Sequence, residues 1–243
     1  MERLTGVAEL LDGPLDDRAA LEGNLRDLRR ANRWLGGASG SIRAIEALLP
    51  LSGANGEALA RPRTILDVGT GGADLPLAML EHAARTGRSW RVTGLDSRPE
   101  VLAAAAVADR RVTGTAGLDL HVGDGRSLPF PDGAFDVVHA SLVVHHLDPT
   151  DAAGLIAEMV RVARLGIVVN DLVRGRLAYV GAWLLAHLLT TNRLTRHDAP
   201  LSVRRAYTRT ELERLLEDAG QRIVTSVRGP FGHRWAIAAA RRP

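Results

Sequence analysis

The chain has 243 residues, 46% hydrophobic and 24% charged, the balance of a folded globular protein with a sizeable core rather than of a disordered chain. Cysteine and lysine are both absent, which excludes disulfides, thiolate metal sites, cysteine nucleophiles and Schiff-base chemistry. The formal net charge is only +3 and the arginines are scattered, so a nucleic-acid partner is not expected.

In chain order, "MERLTGVAELLDGP" carries early acids and no apolar core of signal-peptide length, and an intracellular, cytoplasmic protein is expected. Residues 16–49 have helical spacing, with Leu21, Leu25 and Leu28 on one face, a glycine-rich break at 36–40 and a second run ending at Pro50. A loop-like stretch follows over 51–63, so residues 1–60 read as an N-terminal helical cap and 61–243 as the main domain. Five short apolar runs come next, at 64–69, 90–96, 118–124, 135–141 and 166–171, separated by helical segments near 74–86, 99–109 and 151–164. This alternation predicts an α/β, Rossmann-like, doubly wound and mostly parallel sheet with helices on both faces. A helix over 209–219 then precedes two strands joined by "PFGH", close enough to pair, which gives a seven-stranded sheet with an antiparallel last strand. Residues from about 172 to 208, after the fifth strand, are too many for a simple connection and predict a helical lid insert. Its uncharged stretch 177–192 is shorter than the ~20 apolar residues a spanning helix needs, so no stable membrane insertion is expected.

The segment "ILDVGTGGAD", residues 65–74, lies where a doubly wound sheet binds ligands, at the carboxyl end of the first strand. Gly69 and Gly71 lack Cβ atoms, so the backbone can lie against a ligand, and Gly72 lets the next helix approach closely. A dinucleotide pattern wants a small residue where Asp74 stands, and Asp67 precedes the turn, so a cationic ligand suits this loop better than a pyrophosphate. Asp96 ends the second strand, where a carboxylate can take both hydroxyls of a ribose or simply cap a helix, and Asp124 ends the third. Three acids at three strand ends describe an adenosine that carries positive charge.

Together "ILDVGTGGAD", "GLDSRPEVL", "GDGRSLPFPDGAFDVV" and "SLVVHHL" resemble, in order, the motifs of class I S-adenosylmethionine-dependent methyltransferases, over about 64–171 and more loosely beyond. The resemblance implies S-adenosylmethionine as cofactor and S-adenosylhomocysteine as product. It places Asp67, Gly69, Thr70 and Gly71 beside the methionine moiety, and Asp96 and Ser97 at the ribose. Asp124, Gly125 and Arg126 fall at the adenine, and Ser141 on the cofactor floor. "RVARLGIVV" lacks the Pro-Gly-Gly that many relatives carry before the fifth strand, which leaves the local turn open. More weakly, the helical preface and the insert resemble small bacterial methyltransferases of quinone and polyketide (natural-product) pathways.

One fold serves many acceptors, so the acceptor must be read from its own residues. His145 and His146 stand at the carboxyl end of the fourth strand, where a neutral imidazole can take a phenolic proton or where the pair only shapes the loop. Asn170 and Asp171 end the fifth strand; Asp171 could orient the base or serve as a plain cap. In the insert, Trp183 can cover an apolar acceptor while His197, Arg205 and Tyr207 supply polar groups, although the same helix could form a homodimer face. Asn32 and Trp34 are placed as contacts from the opposite side. An Asn/Asp-Pro-Pro-aromatic motif is absent after strand four, which disfavours nucleobase and glutamine nitrogens. The expected reaction is methyl transfer to a small, largely apolar phenolic or quinol-type acceptor, with oxygen favoured. C-methylation of an electron-rich ring and a non-catalytic adenosyl-binding module are the alternatives, and a nicotinamide oxidoreductase is a third. No close His/carboxylate set with ligand spacing occurs, so no metal ligand is assigned.

Overall fold

A computed structural model describes residues 1–49 and 61–242. Seven strands, β1 (Arg63–Val68), β2 (Trp90–Asp96), β3 (Leu118–Val122), β4 (Phe135–Ser141), β5 (Ala163–Leu172), β6 (Gln221–Arg228) and β7 (Arg234–Arg241), form one sheet. Its order is β3-β2-β1-β4-β5-β7-β6, with β1 to β5 parallel and β7 antiparallel to both β5 and β6. The order turns outward in both directions from β1 and β4, so the crevice for a ligand opens at their carboxyl ends. β4 is buried at every position, as a central parallel strand covered on both faces must be.

The helices are α1 (Arg18–Trp34), α2 (Gly37–Leu48), α3 (Asp74–Arg85), α4 (Pro99–Ala108), α5 (Arg111–Gly114), α6 (Pro149–Val162), α7 (Arg176–Leu189), α8 (Arg193–Arg205) and α9 (Arg209–Asp218). On one face, Leu155, Ile156 and Met159 of α6 and Leu212 and Leu216 of α9 pack on Leu66, Val138 and Ile167. On the other, Ile42 and Ile45 of α2 join Met79 and Leu80 of α3 over Ile65, Val137 and Val168. The helical preface therefore divides. α2 is a layer of the main core, while α1 sets Leu21 and Leu25 against Val101 and Ala104 of α4. The expected loop over 51–63 and the boundary drawn at residue 60 fall largely outside the described residues. The insert expected at 172–208 consists of α7 and α8, packed on each other. No helix among the described residues is long and apolar enough to cross a membrane.

Candidate active site

A cavity of about 620 Å³ opens at the crevice, within the size range of small-molecule sites. Its floor is the three strand-end turns: Gly69 after β1, Asp96 and Ser97 after β2, and Asp124, Gly125 and Arg126 after β3. Gly69 has φ +69°, and a Cβ there would stand 2.4 Å from Val143 Cγ2. At Gly125 a Cβ would stand 2.7 Å from Val68 Cγ1, so both turns need glycine to close this tightly. Asp96 accepts hydrogen bonds from the Gly71 N–H at 2.9 Å and the Arg98 N–H at 3.0 Å, while burial raises its carboxyl above the ordinary range. The Arg126 guanidinium, 2.9 Å from Asp124, holds that carboxyl below the ordinary range.

Asp67, Thr70, Gly71 and Ser141, expected at the cofactor, do not line the cavity. The strand register explains two of them: Asp67 lies opposite His139, and Ser141 opposite Asn170. Asp67 accepts from the Thr70 hydroxyl at 2.7 Å and meets His139 Nδ1 at 2.6 Å, and His139 Nε2 lies 2.7 Å from the Ser41 hydroxyl. Asn170 donates to that hydroxyl at 2.7 Å. Arg234 then donates to Asn170 at 2.9 Å, Asn32 at 3.0 Å and Ser141 at 3.1 Å, and Asn32 donates to Asp74 at 3.1 Å. Asn32 and Asn170, placed by sequence at the acceptor, are thus struts of a buried polar chain tying α1 and α2 to the sheet. Burial pushes the Arg234 guanidinium down to about 10 and the Asp74 carboxyl above its ordinary range.

The two histidines sit on a single 3-10 turn, Val144–His146, directly after β4. Asp171 accepts the His145 backbone N–H at 3.1 Å and faces its ring Nδ1 at 2.7 Å. Although burial raises it, the paired imidazole keeps the Asp171 carboxyl below its ordinary value. His146 directs Nδ1 to Asp12 at 2.9 Å. The two ring centres lie 4.2 Å apart, and Glu9 faces the Nε2 edge of both, with its oxygens 3.6 Å from His145 Nε2 and 3.8 Å from His146 Nε2. Burial pushes Glu9 up to about 7, against the pull of His146. Burial also raises Asp12, but bonds from His146 and Arg205 bring it well below the carboxylate range. His146 and Asp12 line the cavity; His145 is buried behind them. Glu9, His145 and His146 present ligand atoms within 4.8 Å of one another, a grouping that could hold a metal ion.

Glu9 and Asp12 arrive on an N-terminal strap that sequence reasoning did not place. The backbone N–H groups of Leu10 and Leu11 donate to the Asp198 carboxylate of α8 at 2.8 and 3.0 Å. Arg98 donates to the carbonyls of Leu11 and Gly13 at 2.9 and 2.8 Å, and Arg3 to those of Arg205 and Leu147, both at 2.7 Å. Residues 3–8 thereby wall the cavity. Arg205 also lines it, bonded to Asp12 at 2.9 Å and to the His146 carbonyl at 2.6 Å. The other acceptor contacts expected from sequence lie elsewhere. Tyr207 is buried and donates to the Leu147 carbonyl at 2.8 Å, and His197 pairs with Asp198 at 2.7 Å. Trp183 stacks on His187 at the surface, and Trp34 is 73% exposed.

Residues 66–169 match the family model described as a methyltransferase domain. The demethylmenaquinone methyltransferase of Thermus thermophilus is 42% identical over 79 residues, 32% of each chain. Human N-acetylserotonin methyltransferase, solved with S-adenosylmethionine, superposes with a TM-score of 0.66 at 15% identity, covering 96% of this chain and 61% of that one. An O-methyltransferase family 2 protein from Planctomyces limnophilus, solved with apigenin, gives 0.60 at 23% identity, covering 96% and 68%. Residues 66–169 therefore form a methyltransferase domain, on a fold shared with a methyltransferase solved with S-adenosylmethionine. The matched region holds the second half of β1, all of β2 to β4, most of β5 and all three strand-end turns of the cavity floor. The chain spans 32% to 46% of the length of the curated relatives it matches.

Proposed function

We propose that the protein transfers the methyl group of S-adenosylmethionine to an oxygen of a small, largely apolar phenolic or quinol-type acceptor. One observation carries this reading: a single cavity joins the glycine and aspartate turns of three strands to His146, Asp12 and Arg205. The residues fit the donor. Gly69 and Gly125 shape a floor that a Cβ would obstruct, Asp96 offers a carboxylate to ribose hydroxyls, and Asp124 and Arg126 border the adenine position. When bound, S-adenosylmethionine supplies a methyl group already activated on a sulfonium. The chain contributes alignment, exclusion of water and removal of the acceptor's proton. His146, backed by Asp12 at Nδ1, takes that proton at Nε2 beside Glu9, while His145 is held by Asp171 and keeps Glu9 in place. Arg205 and the strap close the acceptor end. A relative named for demethylmenaquinone and a neighbour solved with apigenin agree with an acceptor of this class.

Calorimetric titration with S-adenosylhomocysteine, with NADH as control, tests the donor site; tight binding of the first alone is expected. Incubation with S-adenosylmethionine and a panel of phenols and quinols, followed by fragmentation mass spectrometry, tests the acceptor atom. A methyl group found only on ring carbon would replace the oxygen reading with C-methylation.

A further inference from the structure

We propose that the outer face of α7, with the adjoining edge of α1, seats the protein on the surface of an anionic lipid bilayer. The amphipathicity of α7 is inverted. Its small side chains face inward, with Ala186 buried and Ala178 and Ala182 half-buried where α7 packs on α8. Its large apolar side chains face outward: Leu177, Val180, Leu184 and Leu188, at helical spacing, are all exposed, Leu177 to 90% and Leu188 to 76%. Leu185, Leu189 and Trp183 broaden this ridge. A helix that needed only to cover its own protein would show the reverse arrangement. Among the described residues, none of α7 lines the active-site cavity, so an acceptor bound beside His146 does not cover the ridge.

Charge selects the occupant. From residue 172 to residue 197 the chain has no acid and four arginines, Arg174, Arg176, Arg193 and Arg196. Arg174 is neutralised by Glu211, and Arg193 lies 3.5 Å from Asp17, but Arg176 is exposed. Arg196 caps the C-terminal end of α7 through the Thr190 and His187 carbonyls. Leu188 and Leu189 share a shallow depression with Arg196 and with Arg30 of α1, whose guanidinium pairs with Asp27, so among the described residues the unpaired charge nearest the ridge comes from Arg176 and from Arg26 and Arg33 of α1. Along α1, Arg26, Arg30 and Trp34 are exposed at four-residue spacing, and the Arg33 guanidinium lies 5.5 Å over the Trp34 ring. An apolar ridge with tryptophan beside it and arginines around it matches the boundary between acyl chains and anionic headgroups. Pairing α7 with a second copy of itself does not match. A two-fold contact sets Arg176 against either the second copy's Arg176 or its Arg196 end; Asp17 offsets Arg193, but α7 carries no acid to offset Arg176. The helix is too short to span the membrane, so association is peripheral.

Co-sedimentation of the purified full chain with vesicles of phosphatidylcholine alone, and of phosphatidylcholine with phosphatidylglycerol, tests the proposal. The wild type is expected to pellet with the anionic vesicles and not the neutral ones, and to be released as salt is raised. The doubly substituted variant Leu184→Glu and Leu188→Glu is expected to lose at least tenfold in partitioning. Leu177→Glu, at a site too exposed to disturb folding, is expected to lose less but measurably. Wild type left in the supernatant with both vesicles overturns the proposal, as does equal binding by the glutamate variants, which would mean adhesion of arginines alone. A dimer in sedimentation velocity that the double substitution abolishes, without vesicle binding, would assign the ridge to a second copy.

Discussion

Asp171 accepts from both the backbone and the ring of His145, so it fixes which way that imidazole points and which nitrogen carries its proton. Asp171→Asn preserves the shape but can offer an N–H where a carboxylate oxygen stood. Because Asp171 does not line the cavity, S-adenosylhomocysteine affinity should hold while kcat falls by roughly 10²-fold, the scale of a misplaced acid–base group. Calorimetry beside steady-state kinetics separates the two. Asp96→Ala should show the opposite pattern. A charged hydrogen-bond acceptor contributes about 1.5–3 kcal/mol, so the variant should bind S-adenosylhomocysteine roughly ten- to a hundredfold more weakly. Unchanged affinity would remove Asp96 from the ribose. The positions of the histidines, Asp96, Asp124 and Asp171 at strand ends could be read because strand ends can be located from apolar runs. Asp67 misled for the same reason: its place at the end of β1 was visible, but the opposing His139 that occupies its carboxylate depends on register between β1 and β4. Glu9 gave no signal, since nothing near it in sequence marks a partner far along the chain.

At the scale of elements, the strap and α8 act as one closure. Asp198 takes the N–H groups of Leu10 and Leu11, and through them places Glu9 and Asp12 beside the histidines. Asp198→Ala should therefore slow the enzyme although the residue does not line the cavity, and limited proteolysis should cut within residues 3–13 faster than in wild type. Each of these two charged bonds contributes about 1.5–3 kcal/mol, and the N–H groups they release lie on the strap rather than in the main core, so the fold should survive. Equal proteolysis of the two proteins would mean that the strap is held elsewhere, chiefly by Arg3 and Arg98. The alternation of strands and helices, the antiparallel end of the sheet and the insert after β5 were all readable from period and spacing. The role of α2 was not. Gly37, Gly40 and Ser41 make its contact surface small, and a small-residue face reads the same on a cap as on a core helix. Only the sheet shows the difference: a Cβ at Gly40 would lie 3.5 Å from that of Ala236 on β7.

Across the whole molecule, function and stability occupy opposite edges of the sheet. The cavity lies at the carboxyl ends of β1, β2 and β3, whereas Asp136, the second residue of β4, lies near the start of β1 with no exposed side-chain surface. It meets Arg61 at 2.8 Å, Arg63 at 3.5 Å and also Arg164, and it accepts the Thr64 backbone N–H at 2.9 Å. Burial raises its carboxyl, but these donors outweigh burial and hold it well below its ordinary value of 3.8. A carboxyl depressed in the folded state stabilises the fold fully above its unfolded pKa, and loses that contribution as pH falls from there toward the folded value. Asp136→Asn leaves arginines facing a neutral group and should cost about 3 kcal/mol at pH 7, at the lower end for a broken buried pair because Arg61 can turn to water. The cost should shrink progressively below about pH 4, where the wild-type carboxylate also begins to lose its advantage. Denaturant unfolding of both proteins at pH 7 and pH 3.5 measures the gap, and S-adenosylhomocysteine affinity at pH 7 should be the same in each. A gap independent of pH would mean that packing, not charge, makes Asp136 matter. A loss of affinity would mean that the two edges of the sheet are coupled through β4, whose buried His139 meets the Asp67 carboxylate behind the cavity floor.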